Sequence, residues 1–533
     1  MTLLSPPEET LKVSVVVPAR NEEDLIHACL EALANQEDIA STEYEVILVL
    51  DNCTDATEPR AREFSGEHPD FRLRLLDGPG KGAGHARRAG METACHRLLD
   101  LGKPSGLIAS TDAETVVAPD WLSVQLEHAA RGARAIVGRI ELNEEEDLPK
   151  GVSRWRSEQG AARHQNLLAE NNEVSTNVME HWQFSGASLS LTAAVYAEIG
   201  GLEPLTALED EYLERVLRQR GGQIERPLAV KVRTSARRNG RAERGLARDL
   251  ALASWFHGNT YRDTNLDVES LLLTKRRSVS LILTGGCSPG VLRSLDGLRN
   301  SGVLDEVLNV SSFPVANGFP PDTAVLQAEK LMPDFGPIRG YGDLLWRGLS
   351  VARGEIVVVL DSEREDDVAG RICGLLRPLM ERADLSLVKG FWSTPDQLSE
   401  LVARPLINLH RPRLAGFTDP LSRDFAASVQ LLRSLPFPVG SGIDISLLLD
   451  AEDHAGIDAL AQSFLGDRFN CSGHDDSEAA YAIQAAVASR TSGSPTEELI
   501  PGPLFLPGPE NLATRRVPIE ERPPLESLTR APV

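Results

Sequence analysis

Five short segments hold the residues whose types and spacing suit chemistry. Pro18-Ala19-Arg20-Asn21-Glu22-Glu23 sets a cation beside two carboxylates, and Asp51-Asn52-Cys53-Thr54-Asp55 brings two more acids close together. Gly80-Lys81-Gly82-Ala83-Gly84 offers yielding backbone and one cation. Asp112-Ala113-Glu114 spaces two carboxylates by one residue. Leu208-Glu209-Asp210-Glu211-Tyr212 holds three consecutive acids, after Phe184-Ser185-Gly186-Ala187-Ser188 and Gly200-Gly201. Transfer of a group from a nucleotide diphosphate to a hydroxyl has three needs that such residues meet. The nucleotide must be held. The leaving diphosphate must be neutralised, commonly by a divalent cation on carboxylate oxygens. A carboxylate must take the proton of the acceptor hydroxyl.

Each segment also has a plainer reading. Glu22 and Glu23 suit the first turn of a helix, whose dipole favours acids. Gly80 to Gly84 can be a bare loop, and Asp112 suits a turn or an N-cap. His181 and His257 are candidate third metal ligands, although a lone histidine is more often structural.

The elements that must position these residues follow from periodicity. Val13-Ser14-Val15-Val16-Val17 reads as a buried strand ending at Pro18, and Tyr44 to Leu50 as a second ending at Asp51. Between them, Leu25, Ile26, Cys29, Leu30 and Leu33 recur at helical spacing from Glu22 to about Asn35. A third apolar run, Gly106 to Ala109, ends at Ser110-Thr111-Asp112. Strands alternating with helices predict an α/β domain with a mostly parallel sheet, whose ligand crevice lies beyond the carboxyl ends of the strands. Pro18, Asp51 and Asp112 all fall at such ends.

The pattern then repeats. Ser278 to Leu283 and Gly354 to Leu360 read as strands, the latter ending at Asp361. Val13-Ser14-Val15 answers to Val279-Ser280-Leu281, Gly80-Lys81-Gly82 to Gly340-Tyr341-Gly342, and Asp112 to Asp361. A repeat of domain length implies duplication or fusion rather than a solenoid. The expected organisation is an extension over 1–11, a first domain over 12–265, a second over 278–491 and a proline-rich tail over 492–533, extended or disordered.

Composition narrows the partners. The chain has 533 residues, with 55 basic and 78 acidic ones for a net charge of −23. That length suggests two or more domains. That charge disfavours nucleic acid and an anionic membrane surface, though local lysines and arginines still permit a small anionic substrate. No apolar stretch is long enough for a transmembrane helix, and the N-terminus lacks a signal-peptide pattern, so a cytoplasmic location is expected. Cys29, Cys53, Cys95, Cys287, Cys373 and Cys471 are scattered without a C-x-x-C pair, which suggests reduced thiols rather than a zinc site or disulfide framework.

In their order, the five segments resemble the family 2 glycosyltransferases of the GT-A fold over roughly residues 12 to 260. The resemblance implies an α/β fold of two tandem GT-A-like, Rossmann-like domains of the nucleotide-diphospho-sugar transferase type. It implies that Pro18, Ala19, Arg20, Glu22, Asp51, Lys81 and Asp112 hold the nucleotide sugar. Asp112 and Glu114 would form a D-x-D-like motif for Mg²⁺ or Mn²⁺, with Glu114 departing from the usual Asp. Asp210, beside Glu209, would be the acceptor base. The donor would be of the UDP-glucose or GDP-mannose type.

From about Gly340 to Arg490 the chain resembles the glucosyl-3-phosphoglycerate synthases and their mannosyl relatives. The residues that carry this are Tyr341 to Arg347, Val388-Lys389-Gly390-Phe391, Leu401 to Leu406, Arg411 to Phe417 and Pro438 to Ile445. Several functional positions of that family are changed. Where it has an N-E-E motif this chain has Thr284-Gly285-Gly286-Cys287-Ser288-Pro289, the lysine of its G-K-G is Tyr341, and its D-S-D is Asp361-Ser362-Glu363. Its acceptor arginine is missing from Asp396-Gln397-Leu398-Ser399, and its histidine falls near Asn470, with His474 out of register. The second domain is therefore expected to be degenerate and kept for packing, regulation or homo-oligomer formation, despite its retained Asp361 and Asp444. The ancestry suggests a small phosphorylated or carboxylated acceptor. A sugar nucleotidyltransferase would want a G-x-G-T-R loop where Pro18 to Glu23 stands, and a noncatalytic nucleotide-sugar sensor or scaffold suits the second half better than the first.

Overall fold

The computed structural model describes residues 4–143, 150–170, 178–205, 208–221, 223–237, 245–263, 267–287, 289–312, 319, 323–361, 367–467, 477–491, 504–507, 512–515, 517 and 519–528. The chain divides into two compact units between Ser254 and Trp255.

Unit 1 begins β1 (Val13–Ala19), α1 (Ile26–Ala34), β2 (Tyr44–Leu50), α2 (Thr57–Glu67), β3 (Leu73–Asp77) and α3 (Ala83–Asp100). It continues with β4 (Leu107–Ser110), β5 (Thr115–Val117), α4 (Trp121–Ala130), β6 (Ala135–Val137), β7 (Arg139–Leu142) and α5 (Lys150–Glu170). Then come β8 (Leu189–Thr192), α6 (Ala193–Ile199), α7 (Glu209–Gln219), β9 (Ile224–Glu225) and β10 (Lys231–Thr234). The main sheet runs β3-β2-β1-β4-β8-β6-β9, and a small one runs β5-β10-β7. Strands β3, β2, β1 and β4 are parallel, and β8 is antiparallel to both β4 and β6.

Alternation along β1 builds two cores. Val13, Val15 and Val17 pack with Ile26, Leu30 and Trp121 on one face, while Val16 packs with Val49, Met91 and Leu98 on the other. Both faces are covered, as a parallel sheet requires. Pro18 lies in this central strand without costing a ladder bond to β4. That strand pairs only with Val13 to Val16, so Pro18 lies beyond its end. Past that point β1 and β4 part company. The strand order reverses here, which is where such sheets open a ligand crevice.

Unit 2 opens in α8 (Leu246–Asn259), which crosses the division, followed by β11 (Thr260–Tyr261), α9 (Val268–Thr274), β12 (Val279–Thr284), α10 (Pro289–Asn300), β13 (Glu306–Ser311) and β14 (Ala324–Gln327). It continues with α11 (Tyr341–Val351), β15 (Ile356–Val359), α12 (Val368–Glu381), β16 (Leu387–Phe391), α13 (Arg404–His410), β17 (Phe425–Ser428), α14 (Val429–Ser434) and β18 (Phe437–Pro438). The last elements are α15 (Ile443–Ala455), β19 (Leu460–Phe464), α16 (Ser477–Thr491), β20 (Leu504–Pro507), β21 (Leu512–Arg515) and β22 (Glu521–Arg522). Its main sheet runs β14-β13-β12-β15-β17-β16-β19-β11. Seven of these strands match the seven of unit 1 in chain order, spatial order and direction, including the antiparallel β17 between β15 and β16.

The division falls earlier than the expected joint near 265–277. Trp255 is already committed to the unit 2 core, where its indole N–H donates to the carbonyls of Ile457 and Leu460 at 3.0 Å. The tail also differs from its expectation. Residues 519–528 return to unit 2, where β22 pairs with β18 and Trp346 donates to the Pro523 carbonyl at 2.9 Å. Arg522 is the reason: its guanidinium donates to both oxygens of the buried Asp343 at 2.9 and 2.6 Å. No helix among the described residues is long and apolar enough to cross a membrane. Cys29, Cys53, Cys95, Cys287 and Cys373 are free thiols, and Cys471 lies outside the described residues.

Candidate active site

The tips of β1, β2 and β4 place the acids of unit 1. Asp51 follows β2 and is 2% exposed. Its two oxygens accept from the amides of Gly80 and Gly82 at 2.6 and 2.9 Å, so this carboxylate shapes the loop that carries Lys81. Lys81 itself is exposed, as is Arg20, while Pro18 and Ala19 are buried in β1.

Helix α3 starts directly after that loop and is pressed onto the sheet. A Cβ at Gly90 would stand 2.3 Å from a Val16 methyl and 2.9 Å from one of Val49, so only glycine permits this approach. One turn earlier, the same buried stripe delivers Arg87 to the strand tips. Its guanidinium donates to Asp112 at 2.7 Å, to Glu209 at 3.1 Å, to the Gly186 carbonyl at 3.0 Å and to the Ser110 hydroxyl. Gly186 has no room for a side chain, because a Cβ would meet the guanidinium carbon at 2.5 Å. Burial works against the charge on Arg87, but Asp112 and Glu209 outweigh it and raise the pKa. Arg87 was not among the residues singled out in the sequence.

Asp210 completes this group from the first turn of α7. Its carboxylate accepts from the Gly186 amide at 3.1 Å and from the Glu211 amide at 2.9 Å. Burial, and then the neighbouring Glu209, raise its pKa, while the Gly186 amide and Arg87 oppose the rise. A carboxylate shifted upward is better matched to proton uptake near neutral pH.

A second arginine, also unforeseen, holds the other side. Strand β10 is antiparallel to β5 with Thr234 opposite Thr115, and the segment that leaves β10 carries Arg237 within reach of Glu114. Arg237 grips Glu22 through two bonds of 2.9 Å and reaches Glu114 at 3.1 Å. The Glu22 carboxylate thus turns into the site, although its backbone carbonyl accepts from Leu25 and Ile26 as the entry to α1. Glu114 is pushed up to about 7 by burial and by Asp112, against the pull of Arg237. Sequence spacing gives no hint of this bracket, since Glu22 and Arg237 are 215 residues apart.

Asp112 and Glu114 offer the carboxylate oxygens that a hard divalent cation takes. Among the described residues no group of three or more His, Cys, Asp and Glu side chains is arranged for a metal. A cation bound with a diphosphate needs only one or two carboxylates, the remaining ligands being phosphate oxygens and water. His181 is not a third ligand. Its Nε2 lies 3.2 Å from the Val137 carbonyl, its Nδ1 accepts from the Gln183 amide at 3.2 Å, and burial and then Arg226 push its pKa down to about 4. His257 is exposed and belongs to unit 2.

The corresponding strand tips of unit 2 border a cavity of about 240 Å³ lined by Asp361, Asp396, Asp419, Asp424, Asp444 and Arg423, among others. Asp424 is consumed by Arg371 at 2.6 Å and by the Asp361 amide at 2.8 Å. The wholly buried Lys389 donates to the Asp444 carbonyl at 3.2 Å. Glu363, Asn470 and His474 lie outside the described residues.

The chain is similar to several known proteins. Residues 14–184 match the family described as Glycosyl transferase family 2. The glucosyl-3-phosphoglycerate synthase of Mycobacterium tuberculosis is 36% identical over 228 residues, which cover 38% of this chain and 68% of that protein. Its structure with Mn²⁺, UDP and phosphoglyceric acid has a TM-score of 0.44 at 31% identity, covering 50% of this chain and 98% of that one. The mannosyl-3-phosphoglycerate synthase of Rubrobacter xylanophilus has a TM-score of 0.47 at 28% identity, covering 52% of this chain and 100% of that one. The M. tuberculosis enzyme has been solved with Mg²⁺ and UDP as well as with Mn²⁺ and UDP. Residues 14–184 thus carry a family 2 glycosyltransferase domain, and by its match to the M. tuberculosis protein the chain belongs to the glycosyltransferase family of the glucosyl-3-phosphoglycerate synthases.

Proposed function

We propose that unit 1 transfers a hexose from a nucleotide-diphosphate sugar, of the UDP-glucose or GDP-mannose type, to a hydroxyl acceptor. The observation that carries this is the Arg87 cluster, which gathers Asp112 and Glu209 on one guanidinium with Asp210 across the Gly186 amide. Asp112 and Glu114 would hold Mg²⁺ or Mn²⁺, which supplies positive charge to the leaving diphosphate when bound. Pro18, Ala19, Arg20, Glu22, Asp51 and Lys81 line the nucleotide side. Asp210 takes the acceptor proton, and Glu209 keeps Arg87 in place beside it. The acceptor is a small phosphorylated or carboxylated metabolite, a reading supported by relatives that are glucosyl-3-phosphoglycerate synthases.

Unit 2 is a degenerate second GT-A-like domain in this account, a noncatalytic platform for packing or homo-oligomer formation. The matching order of seven strands supports the common origin. Tyr341 in the place of Lys81 supports the loss of donor chemistry.

Asp210→Asn tests the assignment. Loss of a positioned general base costs roughly 10²- to 10⁴-fold in rate. Turnover should fall by that order while donor affinity, measured by calorimetry, stays within a factor of two or three. Unchanged turnover would remove Asp210 from the chemistry, and a matching loss of donor binding would make it structural.

A further inference from the structure

We infer that Arg237 is a positioning residue that competes with the divalent cation for Glu114, and that it is released toward the diphosphate when the cation binds. The inference rests on the assignment of Asp112 and Glu114 as the cation's carboxylates.

The two arginines of the site are held very differently. Arg87 is 4% exposed and bound by two carboxylates, a carbonyl and a hydroxyl, a set that leaves it no freedom to move. Arg237 has a side chain 24% exposed, and its guanidinium is shared between Glu22 and Glu114. The two contacts are unequal. Glu22 is 5% exposed and receives two parallel bonds of 2.9 Å, the forked geometry that makes arginine–carboxylate pairs strong. Glu114 receives a single contact of 3.1 Å.

A cation on Glu114 would sit next to the guanidinium, and two positive centres cannot share one carboxylate without repulsion. The single contact is the one that gives way. Glu22 keeps hold of the arginine, so the displaced charge stays at the site, beside the position of the leaving diphosphate. Before loading, Arg237 balances two acids that stand near Asp112. After loading, the N–H that Glu114 gives up becomes a charged donor for a phosphate oxygen. Arg237 would therefore oppose the binding of free metal and favour the binding of metal with nucleotide.

These two effects have opposite signs, which separates them from a loss of structure. Binding of Mn²⁺ alone would be followed by the electron paramagnetic resonance of free Mn²⁺, and binding of UDP by calorimetry at saturating Mn²⁺, on the full chain and on Arg237→Gln and Arg237→Lys. Arg237→Gln should bind free Mn²⁺ about fivefold or more tightly and UDP about tenfold more weakly, on the scale of one charge contact each. Arg237→Lys keeps the charge and should bind Mn²⁺ within about twofold of wild type. Weakening of both ligands in the Gln variant, or no change in Mn²⁺ affinity, would overturn the inference while leaving the site assignment intact. Absence of Mn²⁺ binding by the wild-type chain would overturn the site assignment and the inference with it.

Discussion

Replacing Arg87 by Met keeps most of the aliphatic stem and removes the charge that holds the candidate site together. The loss can be worked from its partners. Glu209 has a side chain 9% exposed and would remain buried with no counter-charge beside Asp210. Removing one partner of a buried pair costs about 3–5 kcal/mol. Asp112, whose side chain is 28% exposed, can regain water and adds less than about 1 kcal/mol. The expected total is about 4 kcal/mol, or roughly a thousandfold in the opening equilibrium. Two units need not unfold together, so a single melting curve would blur the result. Hydrogen exchange, followed by mass spectrometry on peptides from α3, β4 and the start of α7, reads unit 1 directly. Arg87→Met/Glu209→Gln should recover most of the loss, because no buried carboxylate is then left bare. The residue is the bonds once made to Ser110 and Gly186, about 1–2 kcal/mol. A change below about 1 kcal/mol in the single variant, or a double variant as unstable as the single, would refute the claim that Arg87 is the counter-charge of this cluster.

Two other perturbations follow from the same kind of reasoning. His181 has its pKa pushed down to about 4, against about 6.5 in an unfolded chain. The unfolded state therefore binds the extra proton between those values, so His181 contributes stability above pH ~6.5 that is lost as pH falls toward 4, about 3 kcal/mol in all. Urea midpoints of unit 1 should drop across that window and flatten in His181→Gln; parallel curves would contradict the assignment. In unit 2, Arg522→Gln removes two charged bonds from Asp343, though Arg347 remains at 3.2 Å. It should cost about 2–3 kcal/mol and speed exchange in α11 and β18. Unchanged exchange there would mean that the tail rests on unit 2 without stabilising it.

How far the site could be read from the sequence depends on how its parts are ordered by the backbone. Pro18, Asp51 and Asp112 were legible because each follows an apolar run whose length marks a buried strand, and parallel strands bring their carboxyl ends to one edge. Arg87 left a signal that was not used. It lies on the stripe Arg87, Met91, Ala94 and Leu98 of α3, and a cation on a buried helical stripe demands a carboxylate partner. Arg237 left none. Its meeting with Glu22 and Glu114 depends on the small sheet of β5, β10 and β7, whose three- and four-residue strands carry little periodicity. Proline content made the tail look unfit for packing, yet its docking depends on one buried ion pair and a two-residue strand, which composition does not register. The second half was legible in part because β12 and β15 repeat the apolar runs of β1 and β4, whereas β13 was not read as a strand.

The central claim is that the donor binds in unit 1 on Asp112 and Glu114. It is tested most directly by calorimetric titration of the full chain with UDP-glucose and GDP-mannose, with and without Mn²⁺, repeated on Asp112→Ala/Glu114→Ala. The account predicts metal-dependent binding of one donor that disappears in the double variant. Binding that survives in the double variant would move the donor away from these carboxylates and contradict it, and no binding of either donor by the wild-type chain would favour a scaffold over an enzyme of this donor type.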